Sequence, residues 1–216
     1  MKLDVAIIDY KMSNLHSVLS ACKKVGLNSK ITNNKKEILD AKSAILPGVG
    51  AFREAMSSLK KMNLDKCILD FINKGKPFIG ICLGMQLLFE RSCEFGHCDG
   101  LGIIKGEVKK FDFTKNQFSR FPVPHIGWNR IKKTNNKLSL SLLSDNADKD
   151  FMYFVHSYYV VPSEESVILT KTKYGEYNFC SSLQKKNVFA VQFHPEKSGQ
   201  QGLLIYNNIY KKINGE

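Results

Sequence analysis

Residues 76–91 read KPFIGICLGMQLLFER, and the joint Gly80-Ile81-Cys82-Leu83-Gly84 in their middle decides the fold class. KPFIGIC is an apolar run of strand character, and LGMQLLFER continues in helix formers. A strand is therefore predicted to feed a helix through a tight turn, with Cys82 at the turn. Gly80 and Gly84 stand two places either side, where such a joint leaves little room for side chains. This is the nucleophile-elbow pattern with cysteine in place of serine. A thiol at a helix start is favoured as thiolate, because unpaired amide N–H groups and the helix dipole point toward it. The Leu83 N–H at the same place can serve an oxyanion. A lone cysteine in a strand is ordinarily a small buried hydrophobe, but the two glycines and the change of period favour the nucleophile.

Upstream of the joint, strand and helix patterns alternate. LDVAIIDY (3–10) is a short apolar run typical of a strand buried on both faces, and NLHSVLSACKKVG (14–26) follows with helical spacing and a terminal glycine. A strand at 27–31, a short helix, and the strand SAIL (43–46) ending in PGVG come next. Helices are then predicted over 51–61 and 64–73. Such alternation implies an α/β fold: a mostly parallel central sheet flanked by helices, with its site at the carboxyl ends of the strands. Downstream the character changes. GEVKKFDF (106–113), FMYFVHSYYVV (151–161), ESVILTKT (165–172), YNFCSSLQKK (177–186) and NVFAVQF (187–193) read as strands rich in aromatic and β-branched residues, several of them alternating. These are additional antiparallel strands, closed by a helix from 199 to 212. NKLSLSLLSDNADKD (136–150) reads as a polar, exposed connection. A chain of 216 residues without repeats or linkers is expected to form one domain, 1–216.

Composition narrows the function. There is no apolar run of the ~18 residues that a membrane span needs, and Asp4 and Asp9 interrupt the N-terminal apolar stretch, so a cytoplasmic location is expected. Lysine and arginine outnumber aspartate and glutamate by 32 to 20, a formal charge of +12. The lysines come as scattered pairs at apparent element ends without interleaved aromatics. This reads as a solvated basic surface suited to an acidic partner, and no nucleic-acid partner is expected. The six cysteines are spread over predicted helices, strands and loops, as reduced thiols would be. Cys93, His97 and Cys98 crowd together in SCEFGHCD, but no second ligand pair with zinc spacing accompanies them, and no metal site is assigned.

A base for the thiol stands in Val191-Gln192-Phe193-His194-Pro195-Glu196-Lys197-Ser198. Pro195 pushes His194 toward an extended conformation, in which residues two apart project to one side, so His194 and Glu196 can pair. A histidine oriented by a carboxylate is the partner a nucleophilic thiol requires. Leu46-Pro47-Gly48-Val49-Gly50 places two glycines after a strand at the same sheet edge, where backbone N–H groups could meet a substrate. By itself it is also an ordinary β–α turn.

Together, GICLGMQLLFE, FAVQFHPEKS and LPGVGAF resemble the class I glutamine amidotransferases, and within them the glutaminase subunits of imidazole glycerol phosphate synthase. The likeness runs nearly the whole chain, through IIDYKMSNLHSV (7–18), GLGIIKGEV (100–108), VPHIGWN (123–129) and YFVHSYYV (153–160). It implies hydrolysis of L-glutamine without metal or organic cofactor, and passage of ammonia to a separate (β/α)8 cyclase subunit in a heterodimer. By motif it implies that Cys82 forms a γ-glutamyl thioester, that His194 moves the protons, and that Glu196 orients His194. It further implies an oxyanion hole from Leu83 and the Val49–Gly50 peptide, the latter reorienting when the partner is active. Gln86, Glu94, Ser157 and Tyr158 match positions that hold glutamine, and Asn14, Trp128 and Lys197 positions that face the partner. Lys11, Ser13 and Arg53 depart from the family's usual glycines. Two other readings remain open at this point: a paralogous glutaminase amidating a surface-polysaccharide sugar, and a stand-alone γ-glutamyl hydrolase.

Overall fold

The computed structural model describes residues 2–12, 15–114, 121–134 and 141–215. Ser13 and Asn14 therefore lie outside the described residues. The strands are β1 (Val5–Ile8), β2 (Ser29–Thr32), β3 (Ser43–Gly48), β4 (Phe78–Cys82), β5 (Phe89–Ser92), β6 (Cys98–Asp99) and β7 (Ile104–Lys110). They continue with β8 (His125–Arg130), β9 (Lys132–Lys133), β10 (Phe151–His156), β11 (Tyr158–Pro162), β12 (Ile168–Tyr174), β13 (Tyr177–Lys185) and β14 (Val188–Val191). Among the described residues the main sheet runs β2-β1-β3-β4-β14-β13-β12-β9. Its first five strands are parallel and the last three pair antiparallel. The chain is thus α/β with a parallel core and antiparallel additions, as the sequence predicts.

Alternation along the parallel strands sends side chains to two cores. Ala6, Ile8, Ala44, Leu46, Phe78 and Ala190 face the layer of α2 (Lys35–Asp40), α3 (Phe52–Lys61) and α4 (Leu64–Asn73). Val5, Ile7, Ile45, Ile79, Ile81 and Val191 face α1 (Leu15–Lys24) and α6 (Gly199–Asn214). Each helix is amphipathic enough to bury one stripe, such as Phe52, Ala55, Met56 and Leu59 of α3.

The structure corrects three local expectations. The helix after Cys82 is α5 (Leu83–Leu87) and stops there, and 89–92 is β5. The carbonyls of Leu87, Leu88 and Phe89 accept instead from the N–H groups of Leu101, Ile103 and Gly102, so tertiary pairing overrides helix propensity. The run 151–161 is two strands in different sheets: β10 pairs with β8, and β11 joins β7-β5-β6, with the break at Ser157. The connection 136–150 is not wholly exposed. Leu142 and Leu143 are buried in the α6-side core, where Asn208 donates to the Leu142 carbonyl.

Candidate active site

Cys82 ends β4 with φ 54° and ψ −111° and directly precedes α5. A left-handed φ at a non-glycine residue is strained backbone. Here it breaks the strand's alternation, so Cys82 packs with the Ile79 and Ile81 side of the sheet. The neighbouring glycines permit this. A Cβ on Gly84 would collide with the Leu46 carbonyl oxygen, and one on Gly80 would lie 2.9 Å from the Gly84 carbonyl oxygen. The whole joint is pressed against the end of β3, where Gly48 is in register with Cys82.

The next parallel strand, β14, brings the base. Three residues beyond its end, His194 is extended (φ −101°, ψ 93°), and its Nδ1 lies 2.7 Å from Glu196 Oε1. Both side chains are buried. The pairing arises differently from the expectation. Pro195–Lys197 is a 3-10 turn, closed by the Lys197 N–H and the Ser198 hydroxyl on the His194 carbonyl, and not an extended segment. Burial alone would lower the His194 pKa. Charge on Cys82 when it is ionised, with the Glu196 carboxylate behind, outweighs burial and carries the value to about 10. The Glu196 pairing through Nδ1 leaves Nε2 buried without a hydrogen-bond partner among the described residues, with Cys82 near enough to act on it electrostatically.

Cys82 opens into a cavity of about 260 Å³ that is also lined by Val49, Gly50, Leu83, Gln86, Glu94, Ser157 and Tyr158. Every residue expected to meet glutamine or its oxyanion therefore lines one hollow of amino-acid size, smaller than the roughly 300 Å³ and upward of drug-sized pockets. Glu196 lines a different hollow, with His16, Ser17 and Lys24. Glu94 also accepts the Phe52 N–H at 2.6 Å, giving α3 the cap that Ala51 cannot supply. The Val49 N–H, which belongs to the Gly48–Val49 peptide and not to the expected Val49–Gly50 one, does not serve the cavity. It donates to the Met12 carbonyl at 3.1 Å.

Trp128 and Lys197 lie on the surface side of the same region. Trp128 is 55% exposed, which rules out core packing, and Ile126 and Phe151 beside it on β8 and β10 are exposed too. Tyr153 joins the two expected interface residues: its ring meets Trp128 edge-on and lies under the Lys197 ammonium at 5.9 Å. Its backbone carbonyl accepts from the His194 N–H. Motif reading missed Tyr153, along with three others. Tyr10 has a buried hydroxyl whose pKa is raised by burial and by the Cys82 charge. His156 lines the cavity, and burial lowers its pKa to about 3. Gln192 donates to the Cys82 sulfur at 3.6 Å. Period-2 alternation in FMYFVH and VFAVQF signals that His156 and Gln192 share a face with core residues, but not that they meet the site.

Lys11 has φ 68°, a left-handed backbone that glycine adopts without strain. Arg53, at another departure, donates to the Phe95 and His97 carbonyls and so ties down the loop that carries Glu94. His97 in that loop pairs with Asp99. No described helix is long and apolar enough to cross a membrane.

Comparison with known proteins agrees with this geometry. The family described as glutamine amidotransferase class-I matches residues 6–212. The imidazole glycerol phosphate synthase subunit HisH of Aquifex aeolicus is 48% identical over 209 residues, 95% of each chain. The subunit of the same name from Geobacillus thermodenitrificans is 41% identical, covering 98% of this chain and 97% of its own. The structure of PurLQS from Thermotoga maritima shares the fold at 18% identity, with a TM-score of 0.74 over 98% of this chain and 99% of that one. From the strained Cys82 joint to the full-length likeness, the chain belongs to the class-I glutamine amidotransferases, and among them to the family of HisH subunits of imidazole glycerol phosphate synthase.

Proposed function

We propose that this chain is the glutaminase subunit of an imidazole glycerol phosphate synthase, a single cytoplasmic domain that hydrolyses L-glutamine and hands ammonia to a separate (β/α)8 cyclase. The observation that carries this reading is Cys82 at a positive-φ strand–helix joint, coupled to a buried His194–Glu196 pair 2.7 Å apart.

The chemistry follows from that arrangement. The sulfur attacks the carboxamide carbon of glutamine, and the carbonyl oxygen becomes an oxyanion facing the Leu83 N–H. His194, having taken the thiol proton, gives it to the departing nitrogen, ammonia leaves, and a γ-glutamyl thioester remains. The now neutral His194 takes a proton from water, which attacks the thioester and releases glutamate and the thiolate. Glu196 keeps the His194 ring oriented throughout. Glu94 supplies a carboxylate for the α-ammonium group of glutamine, with Ser157, Tyr158 and Gln86 around it. The exposed Trp128, Ile126 and Phe151, with Lys197, supply the docking face for the cyclase, and Asn14, outside the described residues, is assigned to it by motif alone. Adjacent exposed aromatic and aliphatic side chains are characteristic of a protein-binding site.

The test is glutamate release by the purified chain with and without the cyclase and its phosphoribulosyl substrate, with Cys82→Ala as control. Strong stimulation by both together, and none in the control, is the expected result. A folded protein with reactive Cys82 that the cyclase leaves unstimulated would overturn the pathway assignment, and turnover by Cys82→Ala would overturn the chemistry.

A further inference from the structure

Behind the cavity a chain of buried amides leads from the wall to the nucleophile. Gln86 Nε2 donates to the Tyr158 carbonyl at 3.1 Å and to Gln192 Oε1 at 3.1 Å. Gln192 Nε2 donates in turn to Cys82 Sγ at 3.6 Å. Gln192 is fully buried.

The direction of this chain is not arbitrary, although an amide can in general be turned about. The Tyr158 carbonyl is backbone and only accepts, and it also receives His156 Nδ1–H at 2.8 Å. Gln86 must therefore present its NH2 group to it. The same NH2 faces Gln192, which must answer with its carbonyl oxygen. Turning Gln192 over would oppose two donors, and turning both would oppose two acceptors at Tyr158. Gln192 is left with its NH2 group on the sulfur. The Cys82 thiol, when protonated, has a different partner, the Val155 carbonyl at 3.8 Å. The N–H of Gln192 is thus free for the charged form, and a donor aimed at an anion is stronger than one aimed at a neutral atom.

We propose that Gln192 is a catalytic residue, donating to the Cys82 sulfur while it bears negative charge and passing the orientation of Gln86 to the nucleophile. The inference rests on the proposed glutaminase chemistry at Cys82. Because both Gln86 N–H groups are engaged inward, only its carbonyl oxygen is left for the cavity, so glutamine meets it with an N–H donor. That contact polarises the Gln86 NH2 group, and through Gln192 the donor on sulfur, so seating the substrate and stabilising the thiolate are one event. The charged and titratable groups facing Cys82 are His194 with Glu196 behind it from the β14 side and Tyr10 from the β1 side, with His156, Glu94 and Tyr158 around the cavity.

The experiment is iodoacetamide alkylation of the full chain across pH, read at the Cys82 peptide by mass spectrometry so that exposed Cys93 does not interfere. In Gln192→Met, with a cooperative melt to confirm folding, Cys82 alkylation and glutamate release at neutral pH should fall roughly tenfold or more. Alkylation should recover toward the parent rate as pH is raised. A packing defect alone would not produce that recovery. Alkylation equal to the parent at neutral pH in the folded variant would overturn the assignment. Should the variant not fold, the parent protein still decides. The Gln192 side-chain amide resonance should move on carboxamidomethylation of Cys82, and its failure to move would be equally decisive. Cys82→Ala that still released glutamate would instead refute the underlying chemistry, whatever Gln192 does.

Discussion

The two halves of the main sheet solve different problems. In the parallel half, β2-β1-β3-β4-β14, the functional atom is placed by backbone: the strain at Cys82, the close seat of Gly84 on Leu46, and the register of Gly48 with Cys82. In the antiparallel half and the β8–β10 pair, placement is by rings. Phe111, Phe154, Phe179 and Tyr174 pack around His125 and His156, and these two histidines hydrogen-bond each other at 3.1 Å. At the elbow there is no room for an added atom, whereas around the two histidines burial disfavours added charge. The nucleophile and the wall it works against are thus held by unrelated physical means.

The sharpest way to break the comparison is Gly84→Ala. Its methyl group must displace α5 or β3, so a loss of about 2–3 kcal/mol in a denaturant melt is expected from overpacking. Glutamate release should fall on the order of a hundredfold, since the displacement moves the nucleophile. A variant matching the parent in both would show that the joint is not what positions Cys82.

Acid and alkali should separate the halves. Burial lowers the pKa of His125 to about 4 and of His156 to about 3, so below pH ~6.5 the unfolded chain takes up protons that the folded one refuses. Stability should therefore decline as pH falls from about 6.5 toward 4. His194 has the opposite sign: its raised pKa contributes stability in full below pH ~6.5, and that contribution is lost as pH rises through about 10. Thermal melts of His125→Phe, which keeps the stack between Phe154 and Tyr174, should show a shallower acid limb and an unchanged alkaline one. An acid limb as steep as the parent's would remove His125 as its source.

The smallest effect on the fold belongs to Trp128→Ala. An exposed side chain should leave stability within about 0.5 kcal/mol and the uncoupled glutaminase rate unchanged. Stimulation by the cyclase should drop. A large fall in melting temperature would mean that the strand pair depends on this ring.

The contrast also explains what could be read in advance. The elbow at 80–84, the His194–Glu196 pair and the parallel strands rest on local chemistry and on apolar runs, and they stand where they were expected. Elements set by long-range partners were not legible. Nothing local ends α5 at Leu87, because the N–H groups that capture its carbonyls come from Leu101 and beyond. Nothing local splits 151–161 at Ser157, since both pieces are rich in aromatic and β-branched residues and the difference lies in which strand each meets. Leu142 and Leu143 lie in a polar stretch whose burial depends on α6. Gln192 reads as one more inward residue of β14's alternation, and its meeting with Cys82, 110 positions away, exists only in three dimensions.

The bond from the Val49 N–H to the Met12 carbonyl bears on timing. On the proposed mechanism with this N–H as a second oxyanion donor, turning it away is worth roughly a hundred- to a thousandfold in rate, so the chain alone is expected to be a slow consumer of glutamine. Releasing one amide from one carbonyl is a small local rearrangement, within reach of a partner pressing on the adjoining loop. Idle hydrolysis would then be restrained not by a blocked entrance or a missing residue but by the orientation of a single peptide, and nitrogen would be drawn from the pool only when a consumer stands ready to use it.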